Sequence, residues 1–227
     1  MNELLRKSSR GQRLSQCRLN DFRDSLHLRS VNSIAILAFP LEADYPRLTR
    51  SVLDSLGTLL HEIWSEGLFR GVVIMASEKS FATGADIGEV SELTGSKALE
   101  FAMQGQDLCN RMAASRVPVV AAIRGFCLGG GLDLALACHA RVAAFDSTFG
   151  HPGGSIGLVT GWGGTQRLPS FIGKAQALQL LLTGERVPAS QALTLGLVNE
   201  LVASQDLETA AVQCCERLAL AKSGGAF

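Results

Sequence analysis

The chain has 227 residues, 47% of them hydrophobic, and its 21 lysine and arginine residues balance 21 aspartate and glutamate residues. A chain of this length can bury a large core within one domain. The balanced charge argues against nucleic acid as a partner, and no apolar run is long enough to span a membrane.

Six cysteines occur without CxxC spacing, and most of them stand among apolar residues. This pattern is typical of reduced thiols in the core of an intracellular protein, so we predict a cytoplasmic location. The four histidines lack the spacing of metal ligands, and we predict no metal site. The cysteines are Cys17, Cys109, Cys127, Cys138, Cys214 and Cys215.

Basic residues are concentrated near the start of the chain, where apolar periodicity begins only around Leu26. A basic, serine-containing leader is a feature of organelle-targeting peptides. We favour a mobile surface extension over residues 1–25, because chain termini are commonly poorly ordered. We expect the core to occupy residues 26–203 and a short C-terminal helical segment to occupy residues 204–227.

Apolar periodicity predicts two strands, a helix, a further strand and a second helix in the first half of the chain. Period-two alternation indicates the paired strands, and spacings of three and four residues indicate the helices. In chain order, these elements are expected over residues 24–39 (two strands), 48–64, 71–76 and 96–114. On the last helix we expect a buried side formed by Leu99, Met103, Leu108 and Met112.

A strand, a glycine-rich turn and a helix follow one another in the middle of the chain. Residues 117–123 form a β-branched apolar run typical of a buried strand, and the glycines at 129–131 separate it from helix-forming residues. Glycines allow the backbone to approach a ligand closely, and the first turn of a helix presents unpaired N–H groups. Such a turn can bind an anion or stabilise an oxyanion.

The alternation of strands and helices continues to the end of the chain. A short strand and a long glycine-rich loop precede a series of helices. The strand is expected over residues 141–145, the loop over 146–164, and the helices over 164–169, 174–182, 189–195 and 207–221. Strands that alternate with crossover helices imply a largely parallel sheet with helices on the outside.

Four motifs in order resemble the crotonase superfamily, which contains the enoyl-CoA hydratases and isomerases. They are Phe81-Ala82-Thr83-Gly84-Ala85-Asp86-Ile87, the triple glycine, Phe149-Gly150-His151-Pro152 and Gly161-Trp162-Gly163-Gly164-Thr165-Gln166-Arg167-Leu168. The resemblance implies an α/β crotonase-like fold, a spiral of ββα repeats with a largely parallel sheet and outer helices. It also implies an acyl-CoA substrate that carries coenzyme A as part of the thioester, no separate cofactor, and a homotrimer or hexamer.

In this superfamily the thioester carbonyl lies between two backbone N–H groups, which stabilise the enolate or oxyanion. The resemblance places these donors at Ala85 and Gly130. Neighbouring residues in the same motifs are expected to contact the substrate. They are Ala82, Thr83, Gly84, Asp86, Ile87, Gly129, Gly153 and Trp162.

Hydratases of the superfamily use two glutamates, and this chain has neither of them. The first position holds Asp133, which is one methylene shorter, and the second holds Gly153. A single-base proton shuttle, as in enoyl-CoA isomerisation, needs only Asp133 and the two N–H groups. A carboxylate in a first helical turn is also favoured by the helix dipole alone. His151 is a second acid–base candidate, because histidine titrates near neutral pH, or else a hydrogen-bonded loop residue.

The motifs therefore favour an enoyl-CoA hydratase/isomerase-type enzyme with isomerase-like chemistry. The alternative is a non-catalytic acyl-CoA-binding or scaffold member. It gains support from Gly88, which replaces a lysine that meets the coenzyme A phosphate in many relatives. Arg47 is a candidate to replace that lysine. Acyl-CoA decarboxylase and thioester hydrolase chemistry stay open as further alternatives.

Overall fold

The computed structural model describes residues 26–40 and 44–224, so the predicted N-terminal extension lies outside the described residues. The described residues form ten strands, eight α-helices and two 3₁₀ turns. In chain order, these are β1 His27–Val31, β2 Ile34–Ala38, α1 Arg50–Glu66, β3 Gly71–Met75, β4 Ser80–Ala82, α2 Ile87–Ser91, α3 Gly95–Ala114, β5 Val119–Ile123, β6 Phe126–Leu128, α4 Gly130–Leu136, β7 Ala140–Ala144, β8 Thr148–Gly150, the 3₁₀ turn Pro152–Ile156, α5 Gly164–Ile172, α6 Lys174–Thr183, β9 Val187–Pro188, α7 Ala189–Thr194, β10 Glu200–Val202, the 3₁₀ turn Ser204–Asp206 and α8 Leu207–Gly224.

The larger sheet has the strand order β1-β2-β3-β5-β7-β10. Its first pair is antiparallel and every following pair is parallel, which confirms the predicted, largely parallel sheet. The central strands β3, β5 and β7 consist mainly of small and β-branched apolar residues and are buried on both faces. The turn between β1 and β2 places Asn32 at φ 54°, a left-handed conformation that asparagine tolerates.

A smaller sheet sits beside the larger one and has the order β4-β6-β8-β9. Its first three strands are parallel, with Ser80 opposite Phe126 and Cys127 opposite Phe149. Each of these strands follows a strand of the larger sheet after a short turn, so the chain advances as a spiral of ββα repeats. Because the strands are parallel, the loops that leave β4, β6 and β8 emerge at one edge.

Helices cover both faces of the larger sheet. On one face, α1 and α3 enclose the main core, and on the other α8 packs against the central strands. Gly71 allows close packing of α8, because a Cβ atom at this position would overlap Cys215 Sγ. No helix in the described ranges combines the length and the apolar character needed to cross a membrane.

Helix α3 differs from the sequence prediction in the side that it buries. Leu108 and Met112 are buried as expected, whereas Leu99 and Met103 are 62% and 58% exposed. The buried stripe begins at Phe101, which lies two residues from each of them and hence on the opposite side of the helix. The residues of this stripe are Phe101, Gly105, Leu108, Cys109 and Met112.

Five of the six cysteines lie within the described residues, and all five are free and buried. Burial raises the pKa of Cys109 and Cys215 to about 12, so both thiols stay protonated at neutral pH. The sixth, Cys17, lies outside the described residues.

Candidate active site

A cavity of about 400 Å³ opens at the edge where the loops after β4, β6 and β8 meet. Apolar side chains form most of its wall. Of the twelve residues predicted from the sequence, ten line this cavity, and Ala82 and Asp86 do not. The ten are Thr83, Gly84, Ala85, Ile87, Gly129, Gly130, Asp133, His151, Gly153 and Trp162.

The two turns predicted to supply backbone donors lie against each other. Gly84 has φ 107°, and a Cβ atom on it would lie 3.4 Å from the backbone nitrogen of Gly130. Gly129 has φ 53° and precedes α4, so the N–H of Gly130 belongs to the unpaired first turn of that helix. Within the described ranges, neither Ala85 nor Gly130 donates a backbone hydrogen bond. Both residues line the cavity, and neither N–H has a backbone acceptor within these ranges.

Ala82 and Asp86 lie on either side of the first of these turns and contact the neighbouring helices. A Cβ atom on Gly131 would overlap the carbonyl of Ala82, so β4 packs directly on the start of α4. Asp86 caps α2 by accepting a hydrogen bond from the backbone N–H of Glu89 at 3.0 Å. This bond and the Arg47 guanidinium, 3.0 Å away, lower the pKa of Asp86. Arg47 is thus paired with Asp86 instead of extending as a free cation.

Asp133 lies on the first turn of α4 and is only 1% exposed. Its Oδ2 atom accepts hydrogen bonds from the Thr160 hydroxyl and from the backbone N–H of Trp162. Its Oδ1 atom is buried and has no hydrogen-bond partner in the described structure. Burial raises the pKa of Asp133 to about 6, although the hydrogen bonds and the charge of Arg167 oppose this rise.

His151 follows β8 and is 4% exposed. Its Nε2 atom lies 3.5 Å from Asp133 Oδ1, but the two groups are not aligned as a hydrogen bond, and Nε2 has no partner among the described residues. Burial lowers the pKa of His151 to about 4, so the imidazole is neutral at physiological pH. Two buried polar atoms without partners therefore face each other beside the cavity.

The position of the second family glutamate has no room for a side chain. A Cβ atom on Gly153 would lie 2.9 Å from the carbonyl oxygen of Leu158 and 3.4 Å from its Cβ. The N–H of Leu158 donates to the carbonyl of Gly153 at 2.9 Å, which closes the loop on itself. A side chain at this position would therefore require the backbone at Leu158 to move.

Trp162 forms one wall of the cavity and braces the glycine turn. A Cβ atom on either Gly105 or Gly130 would overlap its indole ring. The ring packs edge-on against Phe101, with centroids 5.4 Å apart. Sequence reasoning missed Thr160, Phe101 and Gly105 as parts of this site. Gly105 carried a signal, since a glycine inside a helix costs about 1 kcal/mol relative to alanine and commonly has a packing reason.

The chemistry available at this cavity is proton transfer beside two backbone N–H donors. Asp133 and His151 are the only ionisable side chains in its described lining, and no lysine or arginine contributes to it. In the part of the chain that the structure describes, no three histidine, cysteine, aspartate or glutamate side chains are grouped to hold a metal ion.

Comparison with curated proteins gives close sequence relatives. The chain is 41% identical over 194 residues to the fatty acid oxidation complex subunit alpha of Shewanella baltica (strain OS185), an alignment that covers 82% of this chain and 27% of that protein. The protein of the same name from Shewanella sp. (strain W3-18-1) is 42% identical over 183 residues, with 77% and 25% covered. The chain therefore spans about a quarter of the length of these relatives.

Solved structures share the fold over most of both chains. The enoyl-CoA hydratase from Bacillus anthracis superposes with a TM-score of 0.82 at 30% identity, covering 88% of this chain and 81% of that one. The enoyl-CoA hydratase from Thermoplasma volcanium GSS1 gives a TM-score of 0.81 at 26% identity, covering 88% and 82%. The family model for enoyl-CoA hydratase/isomerase matches residues 33–224. The chain therefore belongs to the enoyl-CoA hydratase/isomerase family of the crotonase superfamily.

Proposed function

We propose that this protein binds an acyl-CoA thioester and moves a proton between carbon atoms of its acyl chain, as an enoyl-CoA isomerase does. The N–H groups of Ala85 and Gly130 hold the thioester carbonyl, and Asp133 is the base. The observation that carries the proposal is the unpartnered Oδ1 atom of Asp133, buried at the cavity beside the Gly130 turn.

The proposed steps need a single carboxylate. Asp133, ionised above a pKa of about 6, removes a proton from the carbon activated by the thioester, and the C–H electron pair becomes that of an enolate. The two N–H groups stabilise the negative charge on the carbonyl oxygen. The protonated Asp133 then returns its proton to another carbon of the conjugated system. Neutral His151, with Nε2 3.5 Å from Oδ1, is a second group that can accept or return this proton.

Two alternative reactions are less well supported by the cavity. Hydratases of the superfamily use a second glutamate to hold and activate water, and the loop at Gly153 leaves little space for a side chain at that position. Decarboxylation needs an acyl carboxylate in the substrate, and the described lining offers no cationic side chain to receive it.

Several broader expectations belong to the same proposal. The curated relatives are named as subunits of a fatty acid oxidation complex, which supports an acyl chain of fatty acid type. Coenzyme A enters as part of the substrate, and no further cofactor is invoked. A cytoplasmic location, for which the pattern of free cysteines argues, and a trimeric or hexameric assembly, by analogy with the superfamily, complete the proposal.

The decisive test is deuterium exchange at the α-carbon of a panel of acyl-CoA thioesters, followed by NMR. We expect exchange with the wild type and about 10²- to 10⁴-fold less with Asp133→Asn, because a general base contributes rate factors of this size. Asp107→Asn is the matched control, since Asp107 is an exposed aspartate on α3 that pairs with Arg111 away from the cavity. Exchange that survives Asp133→Asn would refute the assignment of the base. Bound coenzyme A without exchange in the wild type would favour the non-catalytic alternative.

A further inference from the structure

We propose that Thr160 is a positioning residue, which holds the Asp133 carboxylate so that one chosen oxygen faces the cavity as the base. This inference rests on the proposed function of Asp133 and adds a residue that the family motifs do not mark. Thr160 lines the same cavity and lies in the loop between the 3₁₀ turn Pro152–Ile156 and α5.

The hydrogen bonds to Asp133 are unequally divided between its two oxygens. The Thr160 hydroxyl and the Trp162 N–H both donate to Oδ2, whereas Oδ1 has no partner in the described structure. A carboxylate is planar, so fixing Oδ2 also fixes the direction of Oδ1. Oδ1 is therefore held 3.5 Å from His151 Nε2, and both residues line the cavity, while Oδ2 is occupied.

Thr160 is the one side chain among the described residues that donates a hydrogen bond to the Asp133 carboxylate, because the second donor is the backbone N–H of Trp162. Its approach depends on the glycine that opens α5. A Cβ atom on Gly164 would lie 2.7 Å from Thr160 Oγ1 and would overlap Asp133 Oδ1. The absence of a side chain at Gly164 thus leaves the space in which Thr160 and Asp133 make their hydrogen bond.

The hydroxyl also affects the charge state of the base. Burial raises the pKa of Asp133, and the largest influence that opposes this rise is the hydrogen bond from Thr160. Without this bond, the carboxylate would keep one backbone donor and would be protonated over a wider pH range. Thr160 thereby orients Asp133 and also keeps it ionised near neutral pH.

The experiment compares Thr160→Val, which keeps the shape and loses the hydroxyl, with Thr160→Ser, which keeps the hydroxyl. The first readout is the pH profile of α-proton exchange, and the second is the titration of the Asp133 carboxyl carbon in ¹³C-labelled protein, assigned with Asp133→Asn. In Thr160→Val we expect the midpoint of the exchange profile and the midpoint of the carboxyl titration both to rise by about one pH unit. Below the midpoint, this rise gives about tenfold less exchange. Thr160→Ser should restore the wild-type midpoint.

A carboxyl midpoint that is the same in Thr160→Val and the wild type would overturn the inference, even if the variant were less active. Equal midpoints in Thr160→Val and Thr160→Ser would overturn it as well. If the wild type shows no exchange, the proposed function fails, but the carboxyl titration still decides the role of Thr160. Thermal unfolding of the serine variant shows whether the loop tolerates substitution.

Discussion

Ala85 has a methyl side chain with no ionisable group, so its proposed role depends on its backbone N–H. That N–H makes no hydrogen bond within the described residues, and the residue lines the cavity. Gly130 is proposed as the matching donor, but it cannot be replaced cleanly because any Cβ would overlap Trp162. Ala85 is thus the position at which one donor can be removed.

We expect Ala85→Pro to lower the rate of α-proton exchange by about 10²- to 10³-fold, because proline lacks the N–H and one such donor contributes this much. Ala85→Val is the matched control, since it adds comparable bulk and keeps the N–H. Exchange should be measured at saturating thioester, with coenzyme A binding followed separately. A valine variant as impaired as the proline variant would show that bulk, and not the donor, is responsible.

Helix α3 and the loop before α5 are joined through Trp162, whose ring fills the space left by Gly105 on the helix and Gly130 on the turn. Gln106 on the same helix donates to the carbonyl of Gly161 at 2.8 Å, and Arg167 on α5 donates to the carbonyl of Trp162 at 2.9 Å. The loop that carries Thr160 is therefore fixed to two helices. Its position depends on a glycine inside α3.

We expect Gly105→Ala to lower the free energy of unfolding by about 1–3 kcal/mol, because the added methyl must displace a buried indole. This loss would occur although alanine has a better helix propensity by about 1 kcal/mol. Urea denaturation measures the change. Gly95→Ala is the control on the same helix, since no atom lies within 4 Å of a Cβ at this exposed position. Equal effects of the two substitutions would contradict the packing role of Gly105.

The stability of the whole molecule is expected to depend on pH through the two buried groups at the cavity. Asp133, whose pKa is raised from 3.8 to about 6, stabilises the folded state fully below pH 3.8, and this contribution is lost as pH rises through 6. His151, whose pKa is lowered from 6.5 to about 4, contributes above pH 6.5 and loses its contribution as pH falls through 4. Between pH 4 and 6, a rise in pH therefore lowers the free energy of unfolding through Asp133 and raises it through His151.

We expect Asp133→Asn to raise the free energy of unfolding by up to about 3 kcal/mol at pH 7, because the neutral amide avoids the burial of a charge. The gain should vanish below pH 4, where the wild-type carboxyl is also neutral. Between pH 4 and 7 only His151 of the two groups still titrates in the variant, so its free energy of unfolding should rise as pH increases. Chemical denaturation at several pH values in this range measures the free energy of unfolding. A difference between variant and wild type that does not change with pH would contradict the expectation.

The fold could be predicted largely from the sequence because its signals are local. Alternation predicted the β1–β2 pair, and the apolar run before the three glycines predicted β5, which the structure confirms. Helix α4 instead begins at Gly130, within the glycines predicted to precede it, and β6 and β8 lie in segments predicted to be a turn and a loop. The buried side of α3 was predicted incorrectly at Leu99 and Met103, because apolar character alone does not tell which stripe meets the core.

The site was only partly predictable for a related reason. Ala85, Gly130 and Asp133 stand in recognisable motifs, so their places in the chain suggest their places in the fold. Thr160 has no such marker, and its bond to Asp133 joins residues 27 positions apart. Such a contact depends on how the loop of Thr160 packs against helix α4, and the local sequence of neither segment contains a pattern that predicts this packing.

The parallel spiral has a consequence for how enzymes of this shape can change their chemistry. The segment after β4 carries one proposed carbonyl donor, and the segment after β6 carries the other donor together with Asp133. His151, the closed loop at Gly153 and Thr160 all belong to the next coil, after β8. In the proposed function, the groups that hold the thioester and the residues that surround the reacting proton therefore lie on separate, successive coils. Redesign of one coil offers a route to a new reaction that leaves recognition of the thioester intact.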